Sequence, residues 1–246
     1  MKVCTGTSGY GYKEWKGSFY PEKISAGKML AFYAERLGAV ELNSTFYRMP
    51  NIVLAETWAA QVPRGFMFAV KAPQVITHIK RLRGVGEETR YFLGALAGLK
   101  SKLGAVLFQF PASFREDRGL LEKFLGLLPS KTPCAFEFKS PSWLNQGTYD
   151  LLGEKGFSLC NADTEEAPVK EIVSTSAWGY LRLRRPDYPE AALSEWAEKI
   201  ASQKWEKAFV FFKHEDGAAG PGYAAGLSGL IARGLAAGSG ELSRTR

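Results

Sequence analysis

The chain has 246 residues, 46% of them hydrophobic, a formal net charge of +7 and three cysteines. No apolar run approaches the roughly 18 residues of a membrane span, the opening MKVCTGTSGYGY lacks the apolar segment of a secretory leader, and an odd number of cysteines with no CxxC spacing argues against a disulfide frame or a zinc site. A cytoplasmic chain with no membrane contact is expected, with Cys4, Cys134 and Cys160 as buried thiols, and the positive charge admits an anionic partner.

Short apolar runs alternate with helical segments. The first strand is expected at residues 2–7 and runs into GTSGYGYKEW, whose glycines at 6, 9 and 11 fall short of a full GxGxxG. A helix at 27–37, a strand at 40–45 and a helix at 52–61 follow. A strand at 66–71, a helix at 87–103 and a strand at 105–110 come next. The helix at 118–128 is closed by Pro129, and a strand at 134–139, a helix at 146–155 and a strand at 157–162 come after it. A helix at 165–174, a strand at 180–184, a helix at 190–202 opened by Pro189, a strand at 208–213 and a helix at 223–236 complete the series.

Several of these strands are apolar on both faces, as parallel strands covered on both sides are. Eight strands alternating with helices over this length predict an α/β fold, a TIM-like (β/α)₈ barrel of parallel strands, with an open doubly wound sheet as the alternative. No linker divides the chain: one domain is expected over residues 1–236, followed by a flexible basic tail at 237–246.

Nearly every strand begins apolar and ends polar. The first ends in Thr5 and Thr7, the second carries Glu41 and Asn43, the third ends in Lys71 and the fourth carries Gln109. The fifth carries Glu137 and Lys139, the sixth ends in Asn161 and Asp163, the seventh presents Arg182 and Arg184, and the eighth ends in Lys213 and His214. In a parallel barrel these ends meet at one mouth, where barrel enzymes keep their active sites. One polar strand end marks only where a chain leaves the core; acids and bases at eight ends, several two residues apart, mark a shared polar site. Glu41 is accordingly expected inside the top of the barrel.

The same residues carry a resemblance. GTSGYGYKEWKGSFYP, YAERLGAVELNSTFYRMP, WAAQVPRGFMFAVKAPQVITHIKRL, LFQFPASF, FEFKSPSW and YLRLRRPDY, in this order over about residues 2–230, resemble the DUF72 family, also called YecE-like proteins. The resemblance implies a TIM-like barrel with a polar mouth and no particular reaction. The family's E-x-N-x-T/S-F-Y matches Glu41, Asn43, Thr45, Phe46 and Tyr47; its K-x-x-x-x-I-T-H matches Lys71, Ile76, Thr77 and His78; its Q-x-P matches Gln109 and Pro111. In its fifth-strand motif Glu137, Ser142 and Trp143 are kept, while Lys139 and Ser140 stand where Arg and His are common. At strand seven Arg184 and Arg185 replace a common His-Gly, and at strand eight Lys213 and His214 replace Asn-Asn.

The chemistry expected is that of an enzyme, a hydrolase or lyase, or a binder of a small anionic, phosphorylated ligand. Glu41, Glu137, Asp163 and His78 are the candidate acids and bases, and Asn43, Lys71, Gln109, Arg182, Arg184, Lys213 and His214 the candidate ligand contacts. The Gly-rich EDGAAGPGYAAGL after strand eight is placed where barrels often bind phosphate. Three alternatives stand beside this. Tyr10, Tyr12, Lys13, Trp15 and Lys16, with THIKRLRG, offer stacking rings and cations to a nucleic acid, as in a nucleic-acid-binding or phosphodiester-cleaving protein, or else Trp15, Phe19 and Tyr20 pack as a lid. Glu41, Glu137, Asp163 and His214 offer oxygen and nitrogen ligands to a divalent metal, although no HxH or HExxH is present and no cofactor is required. The third is a non-catalytic scaffold or binding barrel. No nucleophile elbow and no P-loop is recognisable.

Overall fold

The structure, a computed structural model, describes residues 1–213 and 216–241. His214 therefore lies outside the described residues, as do residues 242–246 of the expected tail. Among the described residues there are eight strands: β1 Lys2–Ser8, β2 Ala39–Leu42, β3 Met67–Lys71, β4 Leu103–Phe110, β5 Cys134–Phe138, β6 Ser158–Asp163, β7 Trp178–Leu183 and β8 Lys207–Phe212. They pair in parallel in sequence order, and β8 closes on β1 with Lys2 opposite Lys207 and Thr7 opposite Phe212. The closed parallel barrel is thus the observed fold, and the open sheet is not.

The helices are α1 Ala26–Ala34, the single turn α2 Ser44–Tyr47, α3 Ile52–Ala60, α4 Gly86–Leu96, α5 Arg118–Leu125, α6 Gln146–Glu154, α7 Glu190–Ala201 and α8 Ala219–Glu241. Side chains set several of their starts. Asn51, Asp117 and Asn145 accept the amide hydrogen of Leu54, Leu120 and Thr148, so each caps the first turn of α3, α5 and α6. Several expected boundaries differ: the helices expected at 27–37, 87–103 and 118–128 end early, at Ala34, Leu96 and Leu125. β2 stops at Leu42 because α2 follows at once, and α8 starts before the expected Tyr223.

The helix expected at 165–174 is absent, and a loop joins β6 to β7. Its backbone groups are met by the end of β6 instead. Asn161 accepts from the Val173 amide and donates to the Val173 carbonyl, at 2.9 and 3.0 Å, and Asp163 accepts from the Val169 amide at 2.9 Å. Pro168, which donates no amide hydrogen, falls in the middle of the segment.

The core has two parts. A large shell lies between strands and helices and includes Trp143, Trp196, Phe108 and Phe136. A second, smaller cluster fills the barrel. In it Ala39, Ala69, Ala105 and Ala135 on β2 to β5 sit with the rings of Tyr180, Phe209 and Phe211 on β7 and β8, so small residues on one wall make room for large ones on the other. Gly104 occupies the irregularity where β4 departs from β3 register, and a Cβ there would lie 2.7 Å from the Phe209 ring. This aromatic plug is the floor on which the polar ends of the strands stand.

Candidate functional site

Period-two alternation carries the inward face from the plug to the mouth. Above Ala39 stands Glu41, above Ala69 stands Lys71, above Leu107 stands Gln109, above Ala135 stands Glu137, and above Tyr180 stand Arg182 and then Arg184. Ser8 is opposite Glu41 in the β1–β2 ladder, and Gln109 is opposite Glu137 in the β4–β5 ladder.

At the centre lies Arg182, 1% exposed. Its Nη2 donates to Glu41 Oε1 and its Nη1 to Glu137 Oε2, both at 2.6 Å, so one guanidinium bridges two buried carboxylates. Glu41 Oε1 also accepts from Ser8 Oγ at 2.7 Å and Asn43 Nδ2 at 3.2 Å, and Glu41 Oε2 accepts from the Tyr180 hydroxyl at 2.7 Å. Glu137 Oε1 accepts from Gln109 Nε2 at 2.6 Å, and Arg184 Nη1 lies 3.8 Å from the same oxygen. Burial alone would raise both carboxyl pKa values. Arg182 and Arg184, with the hydrogen bonds, outweigh it, so Glu41 is held below the usual carboxylate range and Glu137 is lowered to about 2. Both are ionised at neutral pH and have their oxygens occupied, which suits charge balance and positioning better than proton donation.

Lys71 is set differently. Burial, then the neighbouring Arg182, push its pKa down to about 8 against the pull of Glu41 and Glu137. Its Nζ lies 3.9 Å over the Phe46 ring. The same ring meets the His78 imidazole edge-on, with centroids 4.8 Å apart. His78 sits in a π-helical turn, Val75–Ile79, and its Nδ1 is 2.8 Å from Thr77 Oγ1. Burial and the charges of Lys71, Lys139 and Arg81 lower its pKa, so the ring is neutral at pH 7. Arg81 and Leu82 follow with φ of 47° and 68°, in the left-handed region, and Arg81 Nε donates to the His78 carbonyl at 3.2 Å. The turn holding His78 is therefore shaped by backbone geometry as well as by Thr77.

The structure brings together Glu41, Asn43, Gln109, Glu137, Arg182 and Arg184, with Lys71 and His78 beside them. Lys139 and Lys213 are exposed at the rim. Asp163 is not part of the group. It points outward from β6, where Asp163 Oδ2 accepts from Arg185 Nε at 2.6 Å and the Tyr188 hydroxyl at 2.8 Å, and it ties the loops after β6 and β7 together. The inward residues of β6 are Cys160 and Ala162 instead, partnering Tyr180 and Arg182 of β7. On β1 the inward residue at the mouth is Ser8, while Thr7 faces α1 and bonds the Tyr33 hydroxyl through its amide at 2.8 Å and Oγ1 at 2.9 Å. Ser8 and Tyr180, both bound to Glu41, were missed by sequence reasoning. Tyr180 was findable from its place two residues before Arg182 on the same strand face.

Nor do the carboxylates converge as metal ligands: Arg182 stands between Glu41 and Glu137, and among the described residues no group of three His, Cys, Asp or Glu could hold an ion. The aromatics of the first loop pack on one another. Trp15 and Tyr20 are buried and stacked at 6.1 Å, and Phe19 meets both edge-on. No helix among the described residues is long and apolar enough to cross a membrane.

Comparison with known proteins agrees with this architecture. The family described as "Protein of unknown function DUF72" matches residues 4–241. The chain is 29% identical over 156 residues to the UPF0759 protein YunF of Bacillus subtilis, a match over 60% of this chain that spans about half, 54%, of that relative's length. A crystal structure of a DUF72 family protein from Thermotoga maritima superposes with a TM-score of 0.77 at 26% identity, covering 96% of this chain and 99% of that one. Another, from Enterococcus faecalis, gives 0.77 at 20% identity over 93% of this chain and 95% of that one, a likeness of fold.

Proposed function

The chain belongs to the DUF72 family of proteins of unknown function, and from the charges at its barrel mouth we infer that it binds a small anionic, phosphate-type ligand there and acts on it as an enzyme. The observation that carries this reading is a surplus of positive charge. The single charge of Arg182 offsets one of the two carboxylates it bridges, so one negative charge remains against the three cations Arg184, Lys71 and Lys139. Neither Lys71 nor Lys139 makes an ion pair among the described residues, and Arg184 reaches Glu137 only at 3.8 Å. The Nε of Arg184 is buried with no hydrogen-bond partner among the described residues. A buried donor without an acceptor is costly, and an oxyanion would complete it.

Proton transfer falls to Lys71. Its pKa near 8 makes it acid or base close to neutral pH, whereas Glu41 and Glu137 are fixed as carboxylates. Addition, elimination or hydrolysis on a phosphate-bearing substrate suits that arrangement.

The experiment is calorimetric titration with inorganic phosphate and simple phosphate esters as a function of pH. The ammonium form of Lys71 attracts the anion, so affinity is expected to fall as pH rises through about 8. Folding stability should move the other way. Because the folded pKa lies below the ordinary lysine value, the unfolded chain binds more protons between about 8 and 10.4, and stability rises with pH across that window. Lys71→Met should remove both dependences. Phosphate affinity that stays flat from pH 7 to 9 in the wild type would assign the anion to other groups or to none.

A further inference from the structure

The barrel wall is not closed evenly. β5 and β6 pair only through Ala135 with Ser158 and Phe136 with Leu159. Above that, Glu137 and Phe138 pair with β4 and Cys160 to Asp163 pair with β7, but the edges that β5 and β6 turn toward each other share no ladder. The slit lies where the polar mouth meets the β6–β7 connection, which is also where a loop replaces the expected helix. Behind it is a cavity of about 760 Å³.

This cavity joins two chemistries. Its inner end is lined by Glu137, Lys139 and Arg184 of the mouth. The rest of its wall is mainly apolar, with Leu144, Tyr149, Leu159 and Val173, and the β6–β7 loop adds Glu166, Lys170 and Glu171. A barrel helix packed on β6 would fill such a space; the loop, tied down by Asn161 and Asp163, leaves it open. Leu144, at the edge of this cavity, remains 51% exposed. The volume is that of a pocket for a ligand much larger than phosphate.

We propose that the ligand is an amphipathic anion, with its charged end on Arg184 and Lys139 and its apolar body passing through the β5–β6 slit into this cavity. The proposal rests on the anion reading given above and extends it to the rest of the ligand. Polar groups within the apolar body also have a place, since the facing edges of β5 and β6 carry backbone N–H and C=O groups outside any β5–β6 ladder.

Three probes separate the parts: methyl phosphate, octyl phosphate below its micelle concentration, and 1-octanol. Each is titrated calorimetrically into the wild-type protein and Leu144→Asp, a change at a half-exposed site whose folding a melting curve checks. Burial is worth about fourfold in affinity per methylene, so, with about half of the additional methylenes buried, octyl phosphate should bind the wild type at least about a hundredfold more tightly than methyl phosphate. In Leu144→Asp that ratio should fall below about tenfold. Equal affinities for the two phosphates in the wild type would overturn the proposal and leave the anion reading standing. Binding of octanol with neither phosphate bound would overturn both and assign the cavity to neutral ligands. Binding of none of the three would also overturn both.

Discussion

Arg182→Met is expected to cost about 3–5 kcal/mol of folding stability, the scale for removing one partner of a buried ion pair. For a chain of this size that lowers the melting temperature by about 10 °C. Arg182 is 1% exposed and touches two carboxylates that are themselves buried, so the variant leaves Glu41 and Glu137 close together with no guanidinium between them. Thermal and urea unfolding measure the loss. Adding Glu41→Gln and Glu137→Gln to Arg182→Met should recover most of it, because neutral amides need no counter-charge. An Arg182→Met protein as stable as the wild type would show that the bridge does not hold the mouth together. The same network sets the acid limb. The folded pKa values of Glu41 and Glu137 are depressed, so their contribution is complete above the ordinary glutamate value of about 4.3. It is lost as pH falls from there toward the Glu137 value of about 2.

Arg184→Met is expected to behave in the opposite way, sparing the fold and weakening the ligand. Arg184 is half-buried at the mouth, reaches Glu137 only at 3.8 Å and keeps a buried Nε without a partner. Its charge helps to keep Glu41 and Glu137 ionised, but its side chain makes no hydrogen bond to either carboxylate. A charge-assisted hydrogen bond contributes about 1.5–3 kcal/mol. Phosphate-ester affinity should therefore drop roughly tenfold to a hundredfold, with the melting temperature within a few degrees of the wild type. Isothermal titration beside a melting curve reads both. Unchanged affinity in Arg184→Met would remove this residue from the ligand and leave Lys71 and Lys139 as the cations to test. The pair of variants divides two arginines that lie two residues apart on one strand: the inner one holds the site together and the outer one is free to meet a ligand.

Much of this was legible in the sequence. The eight strands were found within a few residues of their observed ends, because short apolar runs between helical segments leave little choice of period. The inward position of Glu41, Lys71, Gln109, Glu137, Arg182 and Arg184 followed from their spacing along strands whose ends share a mouth. The sixth strand misled. Asn161 and Asp163 are its polar residues, yet Cys160 and Ala162 are the ones that face the barrel. Period two gives two faces and does not say which is inside when both are covered, and here polar residues were needed on the outer face to hold a loop where a helix was expected. β1, small and polar on both faces, concealed Ser8 in the same way.

What the sequence by itself determined was the barrel and the polar chemistry at its mouth, because alternation and strand spacing are local properties of the chain. Only the tertiary structure decided how those charges are shared. Arg182 lies 141 positions from Glu41 and 45 from Glu137, and nothing local marks it, rather than Arg184, as the residue that joins them. Nor does a local pattern show that β5 and β6 part above Phe136 and Leu159, since ladder pairing depends on how eight strands close into one barrel. Charge pairing and strand closure are contacts between distant segments, and they exist only once the chain has folded.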